Sequence, residues 1–299
     1  MIDWTEFTIG DHRIACPVCA RKRSDKTMGV TVAGEGHGVA HCFRCGHVET
    51  RENRRELTQE ERKAFARRME ALRRQHDAEQ RQRQAEAAAM AALRWAAAVP
   101  AVAHPYLTAK TVKAHGLRLG DWPTKDRLTG EPVTLRSVLY VPMRDSSGVL
   151  RSLQGITERG EKLFLSGGRV KGCYHSIGRP SDRLLIAEGY ATGATLHEAT
   201  GDAVAVAFNA GNLMAVAQAL RSKFPCLSLV LAADDDYETR DPRSGELTNP
   251  GVTAARAAAL KVGGKVAVPD FSGLARTPKD TDFNDLMRLA GALKIGGAE

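Results

Sequence analysis

Arg183-Leu-Leu-Ile-Ala-Glu188-Gly-Tyr190 and Leu231-Ala-Ala-Asp234-Asp-Asp236 decide how the second half of this chain folds. Each is a short apolar run that ends abruptly in carboxylates, as a buried strand does when it leaves a sheet. The runs Arg183–Ala187, Ala203–Phe208, Leu227–Ala232 and Lys265–Pro269 recur at an even rhythm. Between them lie stretches of helical character at 192–199, 213–223 and 252–262. Strand, helix, strand in this order predicts a mostly parallel sheet flanked by helices.

In such a sheet the carboxyl ends of the strands line one edge, where ligands bind. Glu188 and the Asp234–Asp236 pair are therefore expected to converge, although 46 positions separate Glu188 from Asp234. A third acidic cluster, Pro278-Lys-Asp280-Thr-Asp282-Phe-Asn-Asp285, lies further along. Crowded carboxylates repel unless a hard cation bridges them, and an all-oxygen site suits Mg²⁺ or Mn²⁺.

Working outward to the amino terminus, Cys16-Pro-Val-Cys19 and Cys42-Phe-Arg-Cys45 form two CxxC pairs with 22 residues between them. A two-residue gap lets one turn aim both sulfurs at one ion, and two such turns complete a thiolate tetrahedron around one structural Zn²⁺. Met28–Val32 and Val39–Cys42 alternate as strands of a small sheet. So small a ribbon draws folding energy from its metal. His37, His41 and His47 read as surface residues. Cys173 and Cys226, the remaining two of six cysteines, read as ordinary reduced thiols.

Between ribbon and sheet, residues 51–99 are rich in Arg, Glu, Gln and Ala. Thr58 and Glu61 have capping-box spacing, and Phe65, Met69 and Leu72 step by four and three, so a helix from about Thr58 to Ala98 is expected. At ~1.5 Å per residue it spans roughly 60 Å. A spacer offering arginines to phosphates and a merely solvated helix fit it equally. Residues 100–181 read as a mixed α/β unit, with strands at Ser137–Pro142 and Val149–Gly155 joined by the turn Arg144–Gly148. Trp4, Trp95 and Trp122 read as packing anchors; for Asn209 and Asn212, substrate contact and turn formation stay equally open.

The 43 Lys and Arg against 35 Asp and Glu give a net charge of +8, which suits a polyanionic partner. No apolar run of about 18 residues and no secretory leader is seen, so a cytoplasmic protein without membrane contact is expected. No GxxxxGK[ST] loop occurs, which argues against an ATP-driven helicase domain.

Over about 182–290 the chain resembles the Toprim family, on Glu188-Gly189, Asp234-x-Asp236 and Thr281-Asp282-Phe-Asn-Asp285. The resemblance implies acid/base or metal-positioning work for Glu188 and metal ligation by Asp234, Asp236 and Asp282, with Asp280 the rival for the last place. The family's glycine normally follows the DxD pair within a few residues, but here Gly251 comes fifteen after Asp236. Tyr237–Pro250 reads as an inserted hairpin or flap beside the site.

The ribbon, with basic Lys22 to Lys26 and His41-Cys-Phe-Arg-Cys-Gly46, is similar to the zinc-binding domain of DnaG-type primases. Its four cysteines look more like those of some phage primases. Val141–Gly148, Gln154-Gly155 and Lys162–Ser166 are similar to the primase subdomain that precedes Toprim. There the resemblance implies a basic track for template, with Arg144, Arg151, Lys162 and Arg169 as candidates. The expected architecture is multidomain α/β: zinc ribbon 1–50, helical linker 51–99, primase amino-terminal subdomain 100–181 and Toprim catalytic domain 182–299. The function implied is primer synthesis on single-stranded DNA from nucleoside triphosphates, as in phage or plasmid replication, with a separate replicative helicase as partner, in a bacterial cell or phage-infected host. A noncatalytic RecR-like recombination mediator and a Toprim nuclease are the alternatives, and topoisomerase fits least.

Overall fold

The computed structural model describes residues 2–19, 25–34, 36–51, 59–126, 129–241 and 244–293, with the side chain of Glu61 outside that set. The capping pair Thr58 and Glu61, and most of the basic run at 22–26, therefore lie outside the described residues. The chain divides into two compact units, Met1–Glu79 with Arg240–Glu246, and Gln80–Thr239 with Leu247–Glu299. Among the described residues no helix is long and apolar enough to cross a membrane.

In the first unit, β1 (Gly10–Ile14), β2 (Met28–Gly34), β3 (His37–Cys42) and β4 (Val48–Arg51) form an antiparallel sheet in chain order. Met28, Val30 and Val32 alternate inward along β2 and meet Ile2, Ala40, Cys16, Cys42 and Cys45 in a small core. The two expected strands form, and β1 and β4 widen the sheet on either side. Trp4 lies across β3 so closely that a Cβ on Gly38 would sit 2.4 Å from its ring. Helix α1 spans Gln59–Ala97 as one uninterrupted element of 39 residues.

The second unit contains two sheets. β5 (Val99–Pro100), β6 (Arg118–Lys125), β7 (Pro132–Arg144), β8 (Leu150–Ile156) and β9 (Lys162–Phe164) pair antiparallel in chain order, with the short helix α2 (Pro105–Lys110) between β5 and β6. Trp122 is buried against this sheet with Tyr140 and Leu153, and Trp95 packs on the same cluster. Trp4 packs on the ribbon core, so all three tryptophans anchor packing.

The other sheet runs β10-β12-β11-β13-β14, built from β10 (His175–Ile177), β11 (Arg183–Ala187), β12 (Ala203–Val206), β13 (Ser228–Ala232) and β14 (Lys265–Ala267). Its strands are parallel except β10, which is antiparallel to β12. Helices α3 (Tyr190–Thr200), α4 (Ala210–Lys223), α5 (Pro250–Val262) and α6 (Phe283–Ala290) accompany it. Leu185 and Ala187 face a core shared with Tyr190, Phe283, Val141 and Met143. Leu184 and Ile186 face the opposite core with Leu213, Val216, Ala255 and Ala258. Burial on both faces is why β11 has no polar alternation, and each such side chain contributes about 1.5–3 kcal/mol relative to exposure. From β11 the chain passes to β12 on one side and then returns to β13 on the other. Strand order therefore reverses beside β11, which is where open α/β sheets hold ligands.

Candidate active site and metal centre

β11 and β13 are paired in register, Ala187 opposite Ala232. The residues that follow each strand consequently leave the sheet side by side. Glu188 and Asp234 emerge here, and burial is the main reason both carboxyls are hard to ionise. Glu188 is pushed up to about 7, first by burial and then by the charge of Asp236, against the pull of Lys162 and the Ala210 N–H. Asp234 is pushed up to about 8 by burial, then by Glu188, Asp282 and Asp236, again opposed by Lys162. Glu188 Oε1 and Asp234 Oδ1 are buried with no hydrogen-bond partner among the described residues. Orphaned buried oxygens at a cluster of mutually repelling carboxylates are what a hard cation would satisfy. The residues present therefore fit the group expected of them.

Asp282 caps α6, its Oδ1 accepting from the N–H groups of Asn284 (2.8 Å) and Asp285 (2.9 Å). Its Oδ2 accepts from Thr192 Oγ1 on α3 at 2.9 Å, so α6 is tied to the helix that Glu188 introduces. Asp280 is engaged elsewhere. Its Oδ2 accepts from Thr277 N (2.8 Å) and Oγ1 (2.6 Å), and its Oδ1 pairs with Arg288. Those partners hold its carboxyl below the usual range. Of the two rivals, Asp282 is the one whose charge raises Asp234. Among the described residues, only the cysteine quartet brings three or more possible ligands within 4.8 Å of one another. The four carboxylates are spread more widely.

The insertion after Asp236 begins and ends at the site. Thr248 N and Oγ1 both donate to the Thr239 carbonyl, at 2.7 and 3.2 Å. Asn249 caps α5 and also accepts from Asp236 N at 3.1 Å. Two residues into α5, Gly251 backs onto the acidic loop, and a Cβ there would lie 2.2 Å from the Asp234 carbonyl oxygen. Gly251→Ala is accordingly expected to lower stability by about 1–3 kcal/mol through overpacking and to displace Asp234. A melting curve of the second unit and a metal titration would check both effects.

Of the four candidate cations, Lys162 lies at the acidic site, its Nζ 3.7 Å from where a Gly189 Cβ would be. The other three gather elsewhere. Arg151 Nε donates to Asp145 Oδ2 at 2.7 Å, so much of its charge is answered internally. Arg144 donates to Gly148 O at 3.0 Å and lies 5.9 Å from the Trp95 ring. Arg169 donates to Lys171 O at 3.1 Å. Asn212 is structural, bonded to Gly172 N, Cys173 O and Ala207 O. Asn209, exposed at the start of α4, makes no side-chain cap.

A cavity of about 930 Å³ opens beside the acidic site, lined by Lys110, Lys113, Arg159, Lys162, Thr192 and Asp282 among others. Lys110, Lys113 and Arg159 come from α2, the segment after it and the β8–β9 turn. No local spacing in the sequence signals their convergence.

In the ribbon, Cys16 and Cys45 sulfurs are 3.7 Å apart and those of Cys19 and Cys42 are 3.5 Å apart. A tetrahedral shell with metal–sulfur bonds of about 2.3 Å has edges of about 3.8 Å. Val18 N donates to Cys16 Sγ, and Arg44 N and Cys45 N donate to Cys42 Sγ, at 3.4 to 3.5 Å. For Cys42, burial pushes the thiol up, but the N–H groups of Cys45 and Arg44, the Thr27 hydroxyl and Cys19 together bring it down to about 6, whereas burial first of all pushes Cys19 and Cys45 up. The four sulfurs lie within 4.8 Å of one another, close enough to surround one ion. Cys173 is buried and Cys226 exposed, and both are free thiols.

The model of the Toprim domain matches residues 183–292, the stretch that holds all four carboxylates. That stretch is similar to the Toprim domain. Glu188, Asp234, Asp236 and Asp282 all lie within the matched residues. The chain is also similar to two forms of DNA primase TraC of Escherichia coli. One is 43% identical over 138 residues, covering 44% of this chain and 13% of that relative. The other is 40% identical over 147 residues, covering 47% of this chain and 10% of the relative. The chain thus spans a small part of these curated relatives.

Among solved structures, the primase fragment of the bacteriophage T7 primase-helicase protein aligns with 94% of this chain and 95% of its own, at 13% identity and a TM-score of 0.40. The DnaG primase catalytic domain bound to single-stranded DNA aligns with 71% of this chain and 78% of its own, at 14% identity and a TM-score of 0.41. These overlays are too slight to carry residue roles into the Toprim domain.

Proposed function

We propose that this chain is a DNA primase that joins nucleotides on single-stranded DNA at its Toprim site. The observation that carries the reading is the pair of buried, unpartnered oxygens on Glu188 and Asp234 at the ends of adjacent strands. Similarity to TraC primases supports the choice of reaction. Glu188, Asp234, Asp236 and Asp282 would hold Mg²⁺ or Mn²⁺, and Mg²⁺ in particular keeps much of its water and needs few carboxylates. When bound, such ions stabilise charge on triphosphate oxygens and on the entering and leaving oxygens of an in-line displacement.

The chain's own residues supply the rest. Lys162, beside Glu188 and Asp234, places a cation where a triphosphate would meet the acidic edge, and the adjoining cavity offers Lys110, Lys113 and Arg159 to the same anion. Arg144, Arg151 and Arg169 are read as contacts to template phosphates, with Arg144 and Arg169 the freer two. Cys16, Cys19, Cys42 and Cys45 would hold one Zn²⁺, which keeps the ribbon folded to engage single-stranded DNA. Nucleoside triphosphates, a template strand and a separate replicative helicase are the partners of this reading, in the cytoplasm of a bacterium or a phage-infected host.

The test is incubation with single-stranded templates, Mg²⁺ or Mn²⁺ and labelled nucleotides. Short oligomers are expected. No product across a library of templates, with and without a helicase, sinks the reading, and breakdown of the template would point to a nuclease.

The raised carboxyls also set a pH dependence. Without a divalent cation at the acidic edge, the folded state holds protons on Glu188 and Asp234 that the unfolded state has released, so stability falls as pH rises. The fall begins above the unfolded values near 4 and ends above about 8. Asp145 and Asp280, whose values are lowered, are ionised throughout pH 5–8 and add no slope. Burial pushes His175 down to about 4 and lowers His104 too, so these two oppose the fall below about 6.5; melting temperatures of the zinc-loaded protein without Mg²⁺ should therefore drop most clearly from pH 6.5 to pH 8. Added Mg²⁺ should remove the drop, and Asp234→Asn should shrink it to the part that Glu188 carries.

A further inference from the structure

Three consecutive aspartates follow β13, and the middle one behaves differently from its neighbours. Both oxygens of the Asp235 carboxylate are taken: Arg276 Nη1 donates to Oδ2 at 2.7 Å, and Asn249 Nδ2 donates to Oδ1 at 2.6 Å. Arg276 Nη2 also donates to the Asp235 backbone carbonyl at 2.9 Å. The guanidinium carbon lies 3.7 Å from the Tyr237 ring centroid and 4.4 Å from that of Phe271. Arg276 and Asp235 are each only 17% exposed. A guanidinium that reaches the carboxylate and the carbonyl of one residue at once, enclosed beside two aromatic rings, is restricted in the geometry it can take.

That geometry reaches both other parts of the loop. The Asp235 N–H donates to the Thr281 carbonyl at 2.7 Å, and Thr281 immediately precedes Asp282. Asn249, bonded to Asp235, accepts from Asp236 N as well. Tyr237 opens the insertion and Asn249 nearly closes it, so both its ends are fastened to the same arginine–aspartate pair.

We propose that Arg276 is a positioning residue of the acidic site. By holding both the carboxylate and the carbonyl of Asp235, it keeps that side chain off the site. It also sets the register in which Asp234 and Asp236 face Asp282. The inference rests on the reading of those carboxylates as cation ligands. A lysine at 276 keeps the charge but has no plane to stack and no fork to bridge carboxylate and carbonyl, so it would not restore the register.

The experiment is Mn²⁺ titration of the full zinc-loaded chain, followed by the electron paramagnetic resonance signal of free and bound Mn²⁺, with melting curves alongside. Arg276→Gln and Arg276→Lys should each weaken Mn²⁺ binding at least about tenfold and alter the bound signal, while the fold persists. Asp235→Ala should do the same, and the double variant Arg276→Gln with Asp235→Ala should be no weaker than either single, because both break one link. If Arg276→Gln does not fold, Arg276→Lys gives the same reading. Mn²⁺ binding that depends on Asp234 yet stays within about twofold of wild type in the arginine variants, or additive losses in the double variant, overturns the inference alone. Wild-type binding that is indifferent to Asp234→Asn overturns the cation reading and the inference with it.

Discussion

Asp234→Asn is expected to reduce oligonucleotide synthesis by at least about a thousandfold while leaving the fold in place. Burial pushes Asp234 up to about 8, further than Glu188, and one of its oxygens is buried and unpartnered among the described residues. An amide of the same shape removes the charge without opening a cavity, and it relieves the repulsion that Glu188, Asp282 and Asp236 impose. The loss is therefore one of function, not of folding. A bound cation supplies several kcal/mol of transition-state stabilisation, and each 1.36 kcal/mol is about tenfold in rate. The measurement is product formed per enzyme at saturating Mg²⁺, with a melting curve alongside. Synthesis within about tenfold of wild type, at unchanged stability, would remove Asp234 from the site. Asp280→Asn offers the contrast: its partners are Thr277 and Arg288, so it should lower stability and leave the rate per folded molecule near that of wild type.

Removing the Zn²⁺ proposed for the ribbon should have the larger structural effect. Its core comprises Ile2, Met28, Val30, Val32 and Ala40 with three buried cysteines, too little apolar surface to order four strands. Structural Zn²⁺ binds comparable sites with about 10–16 kcal/mol. Chelation, or Cys42→Ser, is thus expected to unfold residues 10–51 outright. Hydrogen exchange would show it as loss of protection across β1–β4, while the Toprim sheet keeps its protection. Persistent protection of β2 and β3 without metal would contradict the claim.

The residues of both candidate sites could be singled out because their patterns are local. Two CxxC turns need no distant partner to be recognised. The carboxylates at the ends of β11 and β13 follow apolar runs that read as strands buried on both faces, as they are. The sequence is less informative where structure depends on pairing across the chain. β6, Arg118–Lys125, contains Gly120 and Pro123 among charged residues, and forms because β7 lies beside it over most of its length. β10 has three residues and exists as an antiparallel edge to β12. Asp282 was legible as an acidic residue but not as the cap of α6, which begins immediately after it. Arg276 lies 41 positions from Asp235, and nothing at either position names the other. The basic lining of the cavity at Lys110, Lys113 and Arg159 is scattered in the same way.

The neck at Thr239 and Thr248 bears on how this chain tolerates change in length. The insertion leaves and re-enters the domain at two hydrogen-bonded points, so whatever lies beyond the neck does not set the distance from Asp236 to Gly251. Lengthening a loop whose ends are already joined costs only about 0.6 kcal/mol per doubling. Relatives with long, short or wholly different segments at this point can therefore share one acidic site. For the same reason a small reporter domain could be spliced in here without disturbing the chemistry.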